Sequence, residues 1–411
     1  MNGRGRAPGR HTAAGLALLL LAALLAALVA GCGGRPAADG TRTAVQDVLD
    51  RRAAALLDRD AAAWAATGDP AGYDRLRAVP LAAWSYRVTA VHDDGPGSGG
   101  DALRADAELR YRIAGYDRAP VTTDRVLRLV RDPAGRWRVT GERPAPKTGE
   151  QLWDRGTVTA VRGTHSLVLG VGGSAERLRT QKAVAGLADR AVPAVTDAWG
   201  PRWPRRVLVL VPDTLDGMAA LLGAPASDYR GIAAVTTGET GGGPGAPADR
   251  IIVNPEAYGL LGASGRQVVL THETTHVATR TATNAATPLW LSEGYADWVG
   301  YRGTGRTPRD AAPELEKALR DGQEPAALPP DDDFGFTGDA GRLARAYEGG
   351  WLACRMIAER WGEGRLDAFY RAVGERGKRA GAVEGALREV LGVDLADFTA
   401  RWRTYVRDEL G

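Results

Sequence analysis

Residues 268–279, VVLTHETTHVAT, decide the fold and the chemistry of the second half of this chain. Their apolar spacing predicts a helix, and residues four apart share one face of a helix, so His272 and His276 can point at one ion. Glu273 lies one step around the same helix, where its carboxylate can reach a water molecule beside that ion. The spacing therefore predicts a metal ion with a general base next to it.

A second helix is predicted where residues 288–298 read PLWLSEGYADW, with Thr287 as N-cap and Pro288 in its first turn. It carries Glu293, seventeen residues after His276, as a candidate third ligand. Zinc binds His nitrogen at about 2.0–2.1 Å, and three protein ligands leave one position for water. The alternative is a helix whose two histidines are ordinary surface or core residues. The scarcity of histidine, five in the whole chain, disfavours that alternative.

The pattern His-Glu-x-x-His, followed on the next helix by Glu in a Leu-x-Glu-Gly-x-Ala context, resembles the gluzincin clan of zinc metallopeptidases. The resemblance covers residues 251–300. It implies one zinc ion per chain, with His272, His276 and Glu293 as ligands. It also implies that Glu273 is the general base.

Other positions support or narrow this resemblance. Asp297 follows Glu293 by four residues, where thermolysin-like members keep an acid that orients a ligand histidine; an exposed helical acid is the alternative. The metzincin pattern needs a third histidine at the position of Ala282, which excludes it. Aminopeptidases of the clan carry a Gly-x-Met-x-Asn strand that residues 250–258 lack, which weakens an exopeptidase reading. Arg250–Val253 is predicted as a strand that could still pair with a bound peptide, and a structural strand with no ligand is the alternative.

Residues 346–351, AYEGGW, resemble the Tyr-x-x-Gly helix of the peptidase-MA-like branch of these enzymes. Tyr347 is the candidate oxyanion donor, because a phenol aimed at the developing alkoxide suits this chemistry. The alternative is a tyrosine that packs in a helical core. Residues 394–405 resemble the closing helix of the same branch, and their apolar spacing predicts packing in the core.

The N-terminus resembles a bacterial lipoprotein signal. Arginines precede an apolar run at residues 13–30, and the run ends in LVAGC at Cys32. The resemblance implies a signal peptide and lipobox over residues 1–32, cleavage before Cys32, acylation of the Cys32 thiol, and a lipid anchor at the outer face of the cytoplasmic membrane. The alternative is an uncleaved signal anchor, since about 20 apolar residues span a bilayer.

Composition names no charged partner. The 411 residues include 53 basic and 50 acidic side chains, a formal charge of +3, so nothing indicates nucleic-acid binding. Cys354 is the only cysteine besides Cys32, so the processed chain can form no internal disulfide. Cys354 lies in an apolar helical stretch and is predicted to be a buried, unreactive thiol.

The pattern along the chain predicts an α+β protein with two domains. Residues 41–66 have helical spacing and alternating strands follow, so residues 41–145 form a small α+β module, which loosely resembles nuclear-transport-factor-2-like domains. Residues 151–411 form a mainly helical, zincin-like domain with a small sheet. A Gly/Pro-rich loop, residues 238–248, interrupts it.

These features predict a membrane-anchored, extracytoplasmic zinc peptidase that acts on a peptide or protein substrate. Two alternatives remain. One is a non-catalytic surface lipoprotein with a structural metal site. A structural zinc ion is held by four protein ligands and leaves no position for water, so an open fourth position would argue against this alternative. The other is a zinc hydrolase that acts on a non-peptide amide or ester.

Overall fold

The computed structural model describes residues 35–93, 101–238, 245–335 and 338–411. The fold is α+β, as the sequence predicts, with a sheet-rich N-terminal half and a helical C-terminal half. The apolar run and Cys32 at the N-terminus lie outside the described residues. Within the described ranges, no helix is both long and apolar enough to cross a bilayer.

The N-terminal half begins with helix α1 (Arg35–Leu57) and two short helices, α2 (Ala61–Ala65) and α3 (Ala71–Leu76). The helical spacing of residues 41–66 is therefore divided between α1 and α2. The chain breaks because the Asp60 carboxylate accepts from two backbone N–H groups and starts a new helix.

Four antiparallel strands follow in sequential order, and α1 packs across them. They are β1 (Leu81–Asp93), β2 (Ala102–Ile113), β3 (Val121–Arg131) and β4 (Trp137–Pro144). The resemblance of this module to nuclear-transport-factor-2-like domains stays a prediction, as do the boundaries at residues 145 and 151.

A second sheet of five strands has the order β5-β6-β7-β9-β8. Its strands are β5 (Val158–Arg162), β6 (Ser166–Val171), β7 (Val207–Val211), β8 (Ala234–Thr237) and β9 (Arg250–Val253). Strands β6, β7 and β9 are parallel, and the outer strands are antiparallel to their neighbours. Residues Arg250–Val253 form β9, which pairs with β7 on one side and with β8 on the other. The predicted pairing of this strand with a peptide is therefore wrong. The edge strand on this side of the sheet is β8, and β5 is the edge strand on the other side.

Helices make up most of the remaining chain. They are α4 (Leu152–Arg155), α5 (Ala175–Trp199), α6 (Leu215–Leu222), α7 (Pro255–Leu260), α8 (Ala263–Thr279), α9 (Leu289–Tyr301), α10 (Pro308–Ala311), α11 (Pro313–Arg320), α12 (Ala340–Trp361), α13 (Glu363–Glu375), α14 (Ala382–Ala386) and α15 (Leu395–Leu410). Helix α15 contributes Phe398 and Trp402 to the core, as its spacing predicts. Cys354 of α12 is fully buried, and burial raises the pKa of its thiol.

Two predicted helix starts are wrong. Ser264 and Gln267 have the spacing of a capping box, which predicts that Ser264 caps this helix, but α8 begins after Gly262 with no side-chain cap, and the Gln267 amide donates to the Leu187 carbonyl of α5. Helix α9 has Pro288 rather than Thr287 at its N-cap position. A distant carboxylate, that of Asp331, accepts from the first backbone N–H of α9 at 2.9 Å.

The second sheet is covered on both faces. Residues of α5 and α8 pack with Val168 and Val209 on one face. On the other face, Leu167, Leu169 and Leu208 belong to one continuous apolar cluster with the N-terminal module. The N-terminal module and the second sheet therefore share a hydrophobic core.

Aromatic rings and a buried ion pair also join the N-terminal module to the rest of the protein. The Trp153 ring lies 5.2 Å from that of Trp84 and 5.0 Å from that of Tyr111, measured between centroids. The Arg250 guanidinium of β9 donates to both carboxylate oxygens of Asp117, at 2.6 and 2.8 Å. Because the Asp117 side chain is fully buried, losing either partner would leave a charge without compensation.

Helices α9 and α12 cross with their backbones in direct contact. A Cβ atom on Gly294 would lie 2.2 Å from the Gly350 carbonyl oxygen, and one on Gly350 would lie 2.6 Å from the Trp290 carbonyl oxygen. Only glycine fits at either position. The crossing draws the functional faces of the two helices together.

The buried carboxyl group of Glu348 in α12 should make the unfolding free energy of the protein depend on pH. Its carboxylate accepts from the Glu314 and Leu315 N–H groups at the start of α11, and burial raises its pKa to about 7. The folded protein therefore holds this proton more tightly than the unfolded chain, so this contribution is complete below about pH 4.5 and is lost as the pH rises through 7.

Between pH 5 and pH 8 we expect the unfolding free energy of the wild type to fall by about 2–3 kcal/mol because of this carboxyl group, and that of Glu348→Gln to lack this fall. Urea unfolding of both proteins across that range measures it, and the difference between them isolates this carboxyl group. Parallel stability curves for the two proteins would contradict the prediction.

Candidate metal centre

The two histidines and the acid singled out by the sequence lie together. His272 and His276 extend from one face of α8, and Glu293 reaches them from α9. The two Nε2 atoms are 3.0 Å apart, and each lies 3.3 Å from Oε2 of Glu293. Three potential ligand atoms thus converge on one point from two helices.

The spacing of these atoms fits a tetrahedral metal ion. Bonds of about 2.0 Å at the tetrahedral angle place neighbouring ligand atoms about 3.3 Å apart. The observed separations of 3.0, 3.3 and 3.3 Å match three corners of such a tetrahedron. Two imidazole nitrogens and one carboxylate oxygen also form a donor set that suits zinc.

Asp297 fixes the orientation of one histidine. Its Oδ1 lies 2.8 Å from Nδ1 of His272, one helical turn beyond Glu293. A neutral His272 that donates its Nδ1 proton to Asp297 presents a bare lone pair at Nε2. The Nε2 atoms of the two histidines are 3.0 Å apart, a separation at which they can share either a proton or a metal ion.

The local charges agree with a cation site. Burial alone would lower the pKa of His272, yet Asp297 and Glu293 offset it and raise that pKa well above its usual value. Burial would raise the pKa of Glu293, but the His276 and His272 imidazoles lower it below its usual range. Glu293 therefore keeps its negative charge, and the raised pKa of His272 means that a proton on this imidazole balances that charge where no metal is bound, so a divalent cation would take the place of the proton.

Glu273 lies beside the cluster and is held by a residue of the second sheet. Its Oε2 accepts a hydrogen bond from the Thr236 hydroxyl at 2.6 Å. Thr236 belongs to the edge strand β8, and the Glu273 side chain is mostly buried. The carboxylate is thereby anchored through one oxygen, which leaves Oε1 for other partners.

Tyr347 approaches the cluster from α12. Its ring centroid is 6.4 Å from that of His272, and it packs against Phe334 at 5.2 Å. Burial raises the pKa of its phenol well above the usual value, and the neighbouring Glu293 carboxylate raises it further. The phenol therefore keeps its proton at neutral pH and can donate a hydrogen bond.

The cluster offers three potential metal ligands, and their side chains are partly exposed to solvent. Within the described parts of the chain, no fourth Cys, His, Asp or Glu joins these residues. The side chains of His272, Glu293 and His276 are 12, 16 and 18% exposed. An ion held here would keep a coordination position open to a small molecule.

Sequence reasoning missed two parts of the site. Thr236 lies in a short run, AVTT, where nothing separates one threonine from the next, and only the packing of β8 on α8 selects it. The two glycines of the helix crossing, Gly294 and Gly350, lie in the motifs of residues 288–298 and 346–351, but the sequence does not indicate that they are close together in space.

The sequence matches no family model and no curated protein. Among solved structures, one similar chain is a two-domain M1 zinc metallopeptidase bound to L-arginine, with 15% identity and a TM-score of 0.35. An M1 zinc metallopeptidase from Deinococcus radiodurans has 14% identity and a TM-score of 0.34, and native yeast LTA4 hydrolase has 12% and 0.36.

The matches cover 80, 80 and 67% of this chain, and 61, 62 and 43% of those chains. This chain thus spans about three fifths of the length of the two metallopeptidases. Identities and TM-scores this low assign no function, which is inferred instead from the geometry of the site.

Proposed function

We propose that this chain is a zinc-dependent hydrolase that cleaves peptide bonds. The observation that carries the proposal is the convergence of His272, His276 and Glu293 at tetrahedral spacing, with the Glu273 carboxylate beside them. Zinc bound by these three side chains would supply a Lewis acid that polarises a carbonyl and lowers the pKa of water towards 7.

The protein's own groups have distinct roles in this proposal. Glu273 takes a proton from the attacking water and returns it to the leaving amine. Asp297 holds the His272 ring in its ligating orientation. Tyr347 donates its phenolic hydrogen to the oxygen on which negative charge develops.

The edge strand β8 favours a peptide over other amides or esters. The sheet order ends at β8, and Thr236 of that strand contacts Glu273. An extended peptide that pairs with the outer edge of β8 would run past the base, with its main chain held by strand hydrogen bonds. A structural metal site is disfavoured because such sites are closed by four ligands.

Metal analysis and peptide cleavage together test the proposal. We expect the purified protein to hold one equivalent of zinc and to cleave members of a peptide library monitored by mass spectrometry. Removal of zinc with a chelator should stop cleavage, and added zinc should restore it. A folded protein with far less than one equivalent of zinc would refute the metal site. Stoichiometric zinc without peptide cleavage would refute the peptidase.

Asp297→Asn should lower zinc affinity by about tenfold to a hundredfold, because the neutral amide binds the His272 N–H more weakly than a carboxylate does. Competition with a fluorescent chelator measures the dissociation constant. Asp197→Asn is the matched control, since that carboxylate is 70% exposed and pairs with Arg302 at the surface. Equal zinc affinity in the Asp297 variant and the control would contradict the role of Asp297.

We further propose that Cys32 carries a lipid anchor, so that the site faces the outside of the cytoplasmic membrane. The support is the sequence LVAGC after an apolar run. Cells fed radioactive palmitate should label this protein but not its Cys32→Ala variant. Equal labelling of both would contradict the anchor.

A further inference from the structure

Thr236 connects the sheet edge to the general base. It lies on β8, and Ala234, two residues earlier on the same strand, packs in the apolar cluster that includes Leu270 of α8. Alternate residues of a strand share a face, so Thr236 also faces α8. Its hydroxyl oxygen lies 2.6 Å from Oε2 of Glu273 and 3.1 Å from the Glu273 carbonyl oxygen.

A threonine hydroxyl has a single proton, so it can fully satisfy only one of these two acceptors. A distance of 2.6 Å is typical of a hydroxyl that donates to a carboxylate, and such charge-assisted bonds are the stronger kind. The hydroxyl therefore donates to Oε2. The longer distance to the carbonyl oxygen reflects a secondary contact.

The strand does not need this hydrogen bond to stay in place. Strand β8 pairs with β9 along its whole length, from the Ala234–Val253 pair to the Thr237–Arg250 pair. The Thr236 hydroxyl adds little to that ladder. Its hydrogen bond instead fixes the position of the Glu273 carboxylate.

We propose that Thr236 is a positioning residue for Glu273, which it holds by Oε2 so that Oε1 is the oxygen that receives the proton from water. The inference rests on the proposed function, because it assigns an oxygen within that reaction. The O–H bond of the water breaks, its proton moves to Oε1, and the water oxygen forms a bond to the carbonyl carbon while the π electron pair of the carbonyl moves to its oxygen. When that pair returns, the C–N bond breaks, and the same proton moves from Oε1 to the leaving amine.

A pair of substitutions tests the role. Thr236→Val keeps the shape and removes the hydroxyl, and Thr236→Ser keeps the hydroxyl on a smaller side chain. We expect the valine variant to lose about tenfold or more in kcat, with KM changed less than about twofold, because the loss concerns the base and not peptide binding. Serine should restore kcat to within about threefold of wild type. Equal rates for the valine and serine variants would overturn the proposal.

Two controls separate positioning from a general structural effect. Thr159→Val removes a bonded hydroxyl from β5, the opposite edge strand of the same sheet, where it donates to Gln181 at 2.9 Å. This variant should keep wild-type kcat. In a Glu273→Gln background, Thr236→Val should change the residual rate less than about twofold, because its effect acts through that carboxylate. A full tenfold loss in that background would overturn the proposal.

Binding of acetohydroxamate gives a readout that does not depend on peptide cleavage. A hydroxamate chelates zinc and hydrogen-bonds to a neighbouring carboxylate. The zinc-loaded Thr236→Val protein should bind acetohydroxamate several-fold more weakly than wild type, and Thr236→Ser should bind it normally. Zinc content should be equal in all three. If no peptide is cleaved, the proposed function fails while this comparison still decides the role of Thr236. Equal affinities for wild type and the valine variant would overturn it.

Discussion

Replacing Glu273 by glutamine should leave one equivalent of zinc in the protein and lower peptide cleavage by about a hundredfold to ten-thousandfold, the usual contribution of a general base. The amide has nearly the same shape and can still accept from the Thr236 hydroxyl, so the fold and the ligand cluster stay intact. It cannot take a proton at neutral pH. Zinc content and kcat, measured on one preparation, give the two halves of the result.

Glu389→Gln is the matched control for this variant, because that side chain is 65% exposed and pairs with Arg376 at the surface. It should keep both zinc and activity. Full activity in Glu273→Gln would refute the assigned base. Loss of zinc in that variant would show that Glu273 contributes to the ion site, contrary to the three-ligand arrangement.

Glu293→Ala should have the largest effect on metal binding. It removes the anionic member of the cluster and leaves two histidines one turn apart. We expect zinc affinity to fall at least about a hundredfold and peptide cleavage to disappear. Wild type at a zinc concentration a thousand times its dissociation constant should gain about 4 kcal/mol of stability, which the variant should lack.

Thermal unfolding with and without zinc measures this difference. Glu363→Ala is the control, since that carboxylate is 53% exposed and pairs with Arg302 at the surface. Its melting temperature should rise with zinc as in wild type. A zinc-dependent rise in Glu293→Ala equal to that of wild type would show that Glu293 is not a ligand.

The sequence predicts the local parts of this site well, because they follow from the geometry of one helix. The spacing of His272 and His276 suffices to place both on one face of α8. Glu293 is less local, and its assignment as a ligand came from a second helix and a family pattern. The structure brings all three atoms within 4.8 Å of one another.

Features that depend on tertiary packing could not be predicted in this way. Strand order is one case: Arg250–Val253 has the same sequence character at the centre of a sheet as at its edge. The helix cap is another, because Gln267 has a capping pattern but instead reaches the Leu187 carbonyl. Thr236 reaches Glu273 only after β8 and α8 have packed.

The core shared by the two halves of the chain has a consequence for synthesis on the ribosome. Trp84 and Tyr111 leave the exit tunnel well before Trp153 and Leu208, which complete the same apolar cluster. Until the second sheet has been synthesised, the described part of the N-terminal module (residues 35–93 and 101–144) therefore has an uncovered apolar surface. We expect stalled nascent chains to become protease-resistant only when they extend far enough past residue 208 for that strand to emerge. Resistance in chains stalled before residue 153 has emerged would show that the N-terminal half can fold without waiting.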